Sequence, residues 1–247
     1  MISKKEIHQI RLLERASERR ERACFVAEGP KTIADIARKL TPIKIYATDK
    51  WMEQNQQTYP STELQRISDA ELQRISFLKT PQQCLAIFPL PNQKPCISEP
   101  ITIALDSVQD PGNLGTIIRL AHWFGIKSIV CSDNTADPYA PKTIQATMGS
   151  IAAVDVCRTN LCDFLDRLPK DVTVCGTFLD GEDIHHTTLP EKAVIVMGNE
   201  GNGISPEIAQ RVSKRLFIPP ADKTDCPDSL NVAIATAVTL AAFQFRK

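Results

Sequence analysis

Three clusters of polar residues each follow an apolar stretch that reads as a strand. The first spans residues 110–119, DPGNLGTIIR, and sets Asp110, Asn113 and Arg119 in one segment. The second spans residues 198–203, GNEGNG, where Gly198, Gly201 and Gly203 enclose Asn199, Glu200 and Asn202. Ser229-Leu230-Asn231 forms the third. Carboxylate, amide, hydroxyl and guanidinium groups at strand ends are what open α/β sheets use to hold a ligand. Glycines this dense let a backbone turn sharply and approach a ligand without a Cβ in the way. A bare turn would use the same glycines, so one cluster decides nothing; three at sibling strand ends point to a ligand site.

Other chemistries lack their motifs. No G-x-G-x-x-G follows the first strand, and residues 112–115 read GNLG. There is no Walker loop and no G-x-S-x-G elbow. His8, His122, His185 and His186 read as structural, and no metal-ligand spacing appears.

Apolar runs with helical segments between them must position the clusters. In the second half, strands are expected at 101–105, 128–131, 152–156, 172–178, 194–197 and 216–218. Helices are expected at 114–124, 141–148, 161–168, 207–213 and 230–245. Continuous apolar strands of this kind predict a parallel sheet covered on both faces. Ser205-Pro206 supplies an N-cap and a first-turn proline directly after the glycine loop. The first half predicts a small α/β/α layer domain. It has a helix over 3–22, strands at 24–27, 43–47 and 85–88, a helix at 31–40 and short helical patterns over 63–76. Residues 89–100, PLPNQKPCISEP, contain four prolines and mark a boundary between domains 1–95 and 96–247.

The 247 residues carry no net charge, yet residues 1–98 hold 16 Lys+Arg against 11 Asp+Glu, and the remainder is correspondingly acidic. A basic front half suits a polyanion such as RNA. Arg11, Arg15, Arg19 and Arg22 fall on one face if 3–22 is a single helix, and Lys31 joins them as an RNA-binding candidate. Interleaved Glu14, Glu18 and Glu21 also permit a plain solvated face. The eight cysteines include no C-x-x-C pair and read as free thiols of a reducing cytoplasm. No stretch is apolar enough for a membrane span or a signal peptide.

With these residues in place, the chain resembles the SpoU (TrmH-like) 2′-O-ribose RNA methyltransferases. Their three motifs look like DPGNLGTIIRLA (110–121), VMGNEGNGIS (196–205) and FIPPADKTDCPDSLNVAIATA (217–237). The front half, FVAEGPKTIADI in particular, is similar to that family's RNA substrate-binding domain. The resemblance implies an α/β C-terminal domain of SPOUT type with a deep trefoil knot, S-adenosylmethionine as methyl donor, and a homodimer through the knotted domain. It further implies catalytic roles for Asn113, Arg119, Glu200, Ser229 and Asn231, and a cofactor cradle of Thr177, Gly198, Gly203, Ile218 and Leu230. Pro220 stands where the family has methionine, a glycine is missing, and the connection 221–228 is longer.

A ribose 2′-hydroxyl must lose its proton as it attacks a sulfonium methyl. A guanidinium stays protonated to a pKa above about 12, so Arg119 is expected to clamp a substrate phosphate and steady the developing alkoxide. The expected substrate is rRNA, because many tRNA-modifying relatives look shorter. The alternatives are tRNA methylation and a non-catalytic RNA-binding protein.

Overall fold

A computed structural model describes residues 1–55, 57–92, 100–222 and 225–245. The chain divides into two units, one of Met1–Asn92 with Asp137–Ala153, the other of Gln93–Ala136 with Val154–Lys247. Cys96 and the boundary expected between residues 95 and 96 lie outside the described residues.

In chain order the first unit holds α1 (Lys4–Leu12), α2 (Ala16–Glu21), β1 (Cys24–Glu28), α3 (Pro30–Ala37), β2 (Lys44–Ala47), α4 (Asp49–Asn55), β3 (Glu63–Arg66), α5 (Asp69–Ile75) and β4 (Cys84–Pro89). Its sheet runs β1-β4-β2-β3, with β4 antiparallel to both neighbours and β2 parallel to β3. Ile10, Leu13, Val26, Tyr46, Leu72, Ile75 and Leu85 form a buried cluster. Ser3 and Ser68 start α1 and α5 with capping boxes completed by Glu6 and Glu71.

The structure corrects two local expectations. Residues 3–22 are two helices, not one. After the break, the Leu13 and Glu14 carbonyls have no helical donors and accept instead from Arg19 Nη1, at 2.6 and 2.8 Å. Residues 63–76 are strand then helix, because Glu63–Arg66 pairs with β2 and Ser68 caps α5.

Residues 137–153, which fall inside the span 96–247, pack with the first unit. The Tyr139 ring centroid lies 5.1 Å from that of Phe25, and Asp137 pairs with Arg19 at 2.5 Å.

The second unit holds β5 (Ile101–Leu105), α6 (Pro111–Trp123), β6 (Ser128–Cys131), β7 (Asp155–Arg158), α8 (Leu161–Asp166), β8 (Thr173–Asp183), β9 (Ala193–Met197), α9 (Pro206–Ala209), β10 (Lys214–Phe217) and α10 (Val232–Gln244), while α7 (Pro141–Thr147) belongs to the inserted segment. The six strands are parallel in the order β10-β8-β9-β5-β6-β7. β5 (ITIAL), β6 (SIVC) and β9 (AVIVM) are buried along their whole length, as strands covered on both faces of a parallel sheet are. β8 continues past the expected 172–178 to Asp183, and β10 follows it across a register shift between Arg215 and Leu216. From β5 the order runs out through β6 and β7 on one side and begins with β9 on the other. Ligands of open α/β sheets bind outside the carboxyl ends of strands at such a reversal. The seven described cysteines are free, and burial pushes the Cys175 thiol up to about 12. Among the described residues, no helix is long and apolar enough to cross a membrane.

Glu28 is the buried acid of the first unit, at 4% exposure. Burial pushes its carboxyl up; the Ser76 hydroxyl, the Phe77 N–H and the Arg11 charge offset this only in part. A carboxyl raised in the folded state stabilises the fold below its unfolded pKa, and that contribution is lost as pH rises through the folded pKa. Glutamine can keep both contacts without the buried charge. The Glu28→Gln protein is therefore expected to gain in thermal midpoint over the parent as pH is raised from about 4.3 toward neutrality. Parallel pH series of thermal unfolding check this, and a constant gap would contradict it.

Candidate active site

Three connections converge at the carboxyl ends of β5, β9 and β10. After β5, the Asp110 side chain accepts the Asn113 N–H at 2.9 Å and caps α6, with Pro111 in the first turn. That fixes Asn113 in the opening turn of the helix. After β9 the glycine loop closes on itself: Asn199 and Gly203 exchange two backbone hydrogen bonds, at 2.8 and 3.0 Å. Asn199 Oδ1 accepts the Gly201 and Asn202 N–H groups, both at 3.0 Å. Gly203 has a φ of +69°, and a Cβ on Gly198 would run into the Gly203 and Ile204 backbone. Closure of the loop therefore requires both glycines. At the third connection, Asn231 Oδ1 accepts the N–H groups of Ala233 and Ile234 at 2.9 and 3.3 Å, capping α10.

One line of hydrogen bonds joins the three. With Asn231 Oδ1 committed to the cap, its Nδ2 donates to Asn113 Oδ1 at 3.0 Å. Asn113 Nδ2 then donates to Glu200 Oε1, also at 3.0 Å. Glu200 further accepts the Gln109 and Asp110 N–H groups at 3.2 and 3.1 Å, and Asn199 Nδ2 at 3.4 Å. A carboxylate offers about four acceptor positions, and four donors meet this one. Burial pushes its pKa up, but the bonds from Asn113 and from backbone N–H groups outweigh burial and hold the carboxyl below its usual range. Such a group braces a site and is poorly suited to accept a proton.

A cleft of about 440 Å³ opens beside the loop. Thr177, Gly198, Gly203, Ile218 and Leu230 all line it, together with Glu200 and Ser229. Leu179, Met197 and Val232 give it apolar walls. Asn113 and Asn231 reach this cleft through Glu200. Arg119 is exposed on α6, which contributes no residue to the lining. Six residues past Asn113, it lies about 9 Å further along the helix and on a different face. Of the connection 221–228, residues 223 and 224 lie outside the described residues, and the others are exposed.

The basic candidates of the first unit do not form one face. Arg19 is 2% exposed and committed to Leu13, Glu14 and Asp137, which removes it from any RNA-facing surface. Arg11 donates to the Ser76 carbonyl at 2.6 Å, with its guanidinium 4.5 Å from the Phe77 ring centroid. Arg22 pairs with Glu18 at 2.9 Å, while Arg15 and Lys31 are exposed. Sequence reasoning passed over Asn199 as an organiser of the loop; its place between the first two glycines was the available signal.

Comparison with known proteins gives a consistent picture. A family model described as the SpoU rRNA methylase family matches residues 100–241, and one described as an MRM3-like substrate binding domain matches residues 4–86. The 23S rRNA (guanosine(2553)-2′-O)-methyltransferase of Bacillus subtilis is 33% identical over 174 residues, covering 70% of this chain and 68% of that protein. The chain spans between 28% and 60% of the length of other curated relatives. A solved RNA methyltransferase of the TrmH family from Porphyromonas gingivalis superimposes with a TM-score of 0.89 at 35% identity, covering 98% of both chains. An AdoMet-bound rRNA methyltransferase from Sinorhizobium meliloti superimposes with a TM-score of 0.86 at 30% identity, covering 99% of this chain and 95% of that one.

Replacing Glu200 by glutamine turns one acceptor oxygen into a donor that faces other donors. The Glu200→Gln protein is expected to lose about 1 kcal/mol of stability at neutral pH. Because the native carboxyl pKa is lowered, the contribution of Glu200 is present above the unfolded pKa and fades as pH falls through the folded one. Urea unfolding at neutral pH and below about pH 4 reads this as a gap between parent and variant that narrows in acid.

Proposed function

The chain belongs to the SpoU rRNA methylase family, and from that premise we propose that it methylates a ribose 2′-hydroxyl of 23S rRNA in the cytoplasm. Its enzyme class is S-adenosylmethionine-dependent RNA 2′-O-methyltransferase. The observation that carries the site assignment is the hydrogen-bonded line Glu200–Asn113–Asn231 beside a cleft lined by the glycine loop. Support for rRNA comes from the Sinorhizobium meliloti enzyme, which is matched over 99% of this chain, first unit included.

The cleft suits the cofactor. Leu179, Met197, Ile218, Leu230 and Val232 offer apolar walls to an adenine, while Thr177, Ser229 and the loop backbone supply polar contacts. Gly203 leaves open space where a Cβ would stand. When bound, S-adenosylmethionine supplies an activated methyl on a sulfonium centre. Asn113 and Asn231 orient the ribose side of the site, and Glu200 keeps both amides and the loop in register. Arg119 binds the substrate phosphate and steadies the oxygen as it loses its proton. With the Glu200 carboxyl already saturated by donors, the proton leaves through the phosphate or water.

Arg119 stands away from the cleft of its own chain, so the reading includes a homodimer whose second copy completes the site. Trp123 at 84% exposure, Ile234 at 54% and Phe245 at 77%, on or next to α6 and α10, offer apolar surface for that contact. The knot implied by family resemblance is part of the same proposal. Arg15, Arg22 and Lys31 remain to meet RNA phosphates.

Mapping ribose methylation across total RNA with and without the protein tests the substrate; loss of one 23S rRNA mark is expected, and loss of a tRNA mark instead would refute it. Arg119→Lys keeps the charge but loses the two-pronged guanidinium. It is expected to lower the methylation rate about 100-fold with cofactor affinity unchanged, and a wild-type rate would sink the clamp. In sedimentation, the parent should run at twice 27.4 kDa, with Trp123→Lys shifted toward monomer.

A further inference from the structure

Two residues outside the three clusters, Asp106 and Ser107, sit where β5 ends. Asp106 is 4% exposed, and Ser107 has a φ of +60°, a backbone state that a non-glycine residue adopts only when its surroundings impose it. Here the imposing contacts are visible. The Ser107 N–H donates to Ser132 Oγ at 2.8 Å. Its carbonyl accepts from Asn199 Nδ2 at 2.7 Å, and its hydroxyl donates to Asp106 Oδ1 at 3.2 Å. Asp106 Oδ2 accepts the Ser205 N–H at 2.7 Å. Ser132 is itself held by Thr135 at 3.0 Å, and Thr135 Oγ1 donates to the Leu105 carbonyl at 3.1 Å.

Asn199 opens the glycine loop, and Ser205 comes after it as the N-cap of α9, where its own side chain makes no capping bond. The pair at the end of β5 therefore grips the loop at both ends. Glu200 holds only the middle, toward Gln109, Asp110 and Asn113. Three glycines in six residues give this loop much conformational freedom to lose on ordering, so its ends need anchors. We propose that Asp106 and Ser107 are positioning residues, a clasp that holds the glycine loop in its cofactor-binding form and so sets the affinity for S-adenosylmethionine. This rests on the reading that the cleft takes that cofactor.

The test uses the full-length protein and two readouts. Hydrogen–deuterium exchange of peptides spanning residues 198–206 reports the loop directly, and calorimetric titration with S-adenosylmethionine reports affinity. Asp106→Ala leaves the Ser205 N–H without its acceptor. It is expected to speed exchange in that peptide and to weaken binding about tenfold. Asp106→Asn can still accept the Ser205 N–H and can donate to Ser107 Oγ, so it is expected to restore both readouts most of the way. A folded Asp106→Ala protein with parental loop exchange and parental affinity overturns the clasp. Should Asp106→Ala fail to fold, Asn199→Asp, which keeps the acceptor for the Gly201 and Asn202 N–H groups but loses the donor to the Ser107 carbonyl, decides by loop exchange, a parental rate overturning the clasp. If the parent itself gives no heat with S-adenosylmethionine, the cofactor reading fails, and the exchange data still decide whether Asp106 and Ser107 hold the loop.

Discussion

An amide side chain has one oxygen and one nitrogen, and at Asn231 the oxygen is taken. Capping α10 consumes Oδ1, which leaves Nδ2 to face Asn113; that forces the orientation of Asn113 and turns its own Nδ2 toward Glu200. The polarity of the line is thus set by a helix N-terminus at one end and a carboxyl saturated by donors at the other. The line is exposed, so removing a member lets its neighbour turn to water, and what is lost is mainly the fixed orientation of the remaining amides. The remainder of the second unit sets Asn113 between Asn231 and Glu200, 3.0 Å from each, although the three stand at positions 113, 200 and 231. A parallel sheet does this because all its strands end on one edge.

In the glycine loop, the residues that local closure requires are also residues that line the cleft. Gly198 is required by the approach of the Gly203 and Ile204 backbone, and Gly203 by its left-handed φ. Both also line the cleft. A loop that closes on its own backbone presents a preformed surface, so less ordering entropy opposes binding.

Much of the second unit was legible because apolar strands announce themselves: residues 101–105 and 128–131 coincide with β5 and β6, and 194–197 falls one residue short of β9. The first half read less clearly. Its charged helix over 3–22 breaks where buried Leu13 and a buried arginine take over, and a periodicity of charges cannot show that Arg19 points inward. β3 has no buried residues, so its ELQR carries no strand pattern, and its pairing with β2 is a tertiary fact. The packing of residues 137–153 with the first unit depends on contacts more than a hundred positions apart, such as Arg19 with Asp137. At the site, residue types marked the three clusters, but Ser107 was illegible: nothing in a serine after a strand signals a left-handed backbone held by three bonds.

The division between held and unheld groups bears on mechanism. Glu200, Asn113 and Asn231 have their polar atoms assigned to one another, so they can orient a substrate but have little capacity left for proton transfer. A guanidinium on an exposed helix face is the opposite case: its planar fork of N–H donors matches a phosphate. Ribose methylation needs both kinds. The attacking oxygen must be aimed, a task the proposed reading gives to the braced amides, and its developing charge must be met by a cation, a task it gives to Arg119. On the proposed reading, a site built only from the braced line would position without activating, and one built only from Arg119 would hold a phosphate without aim.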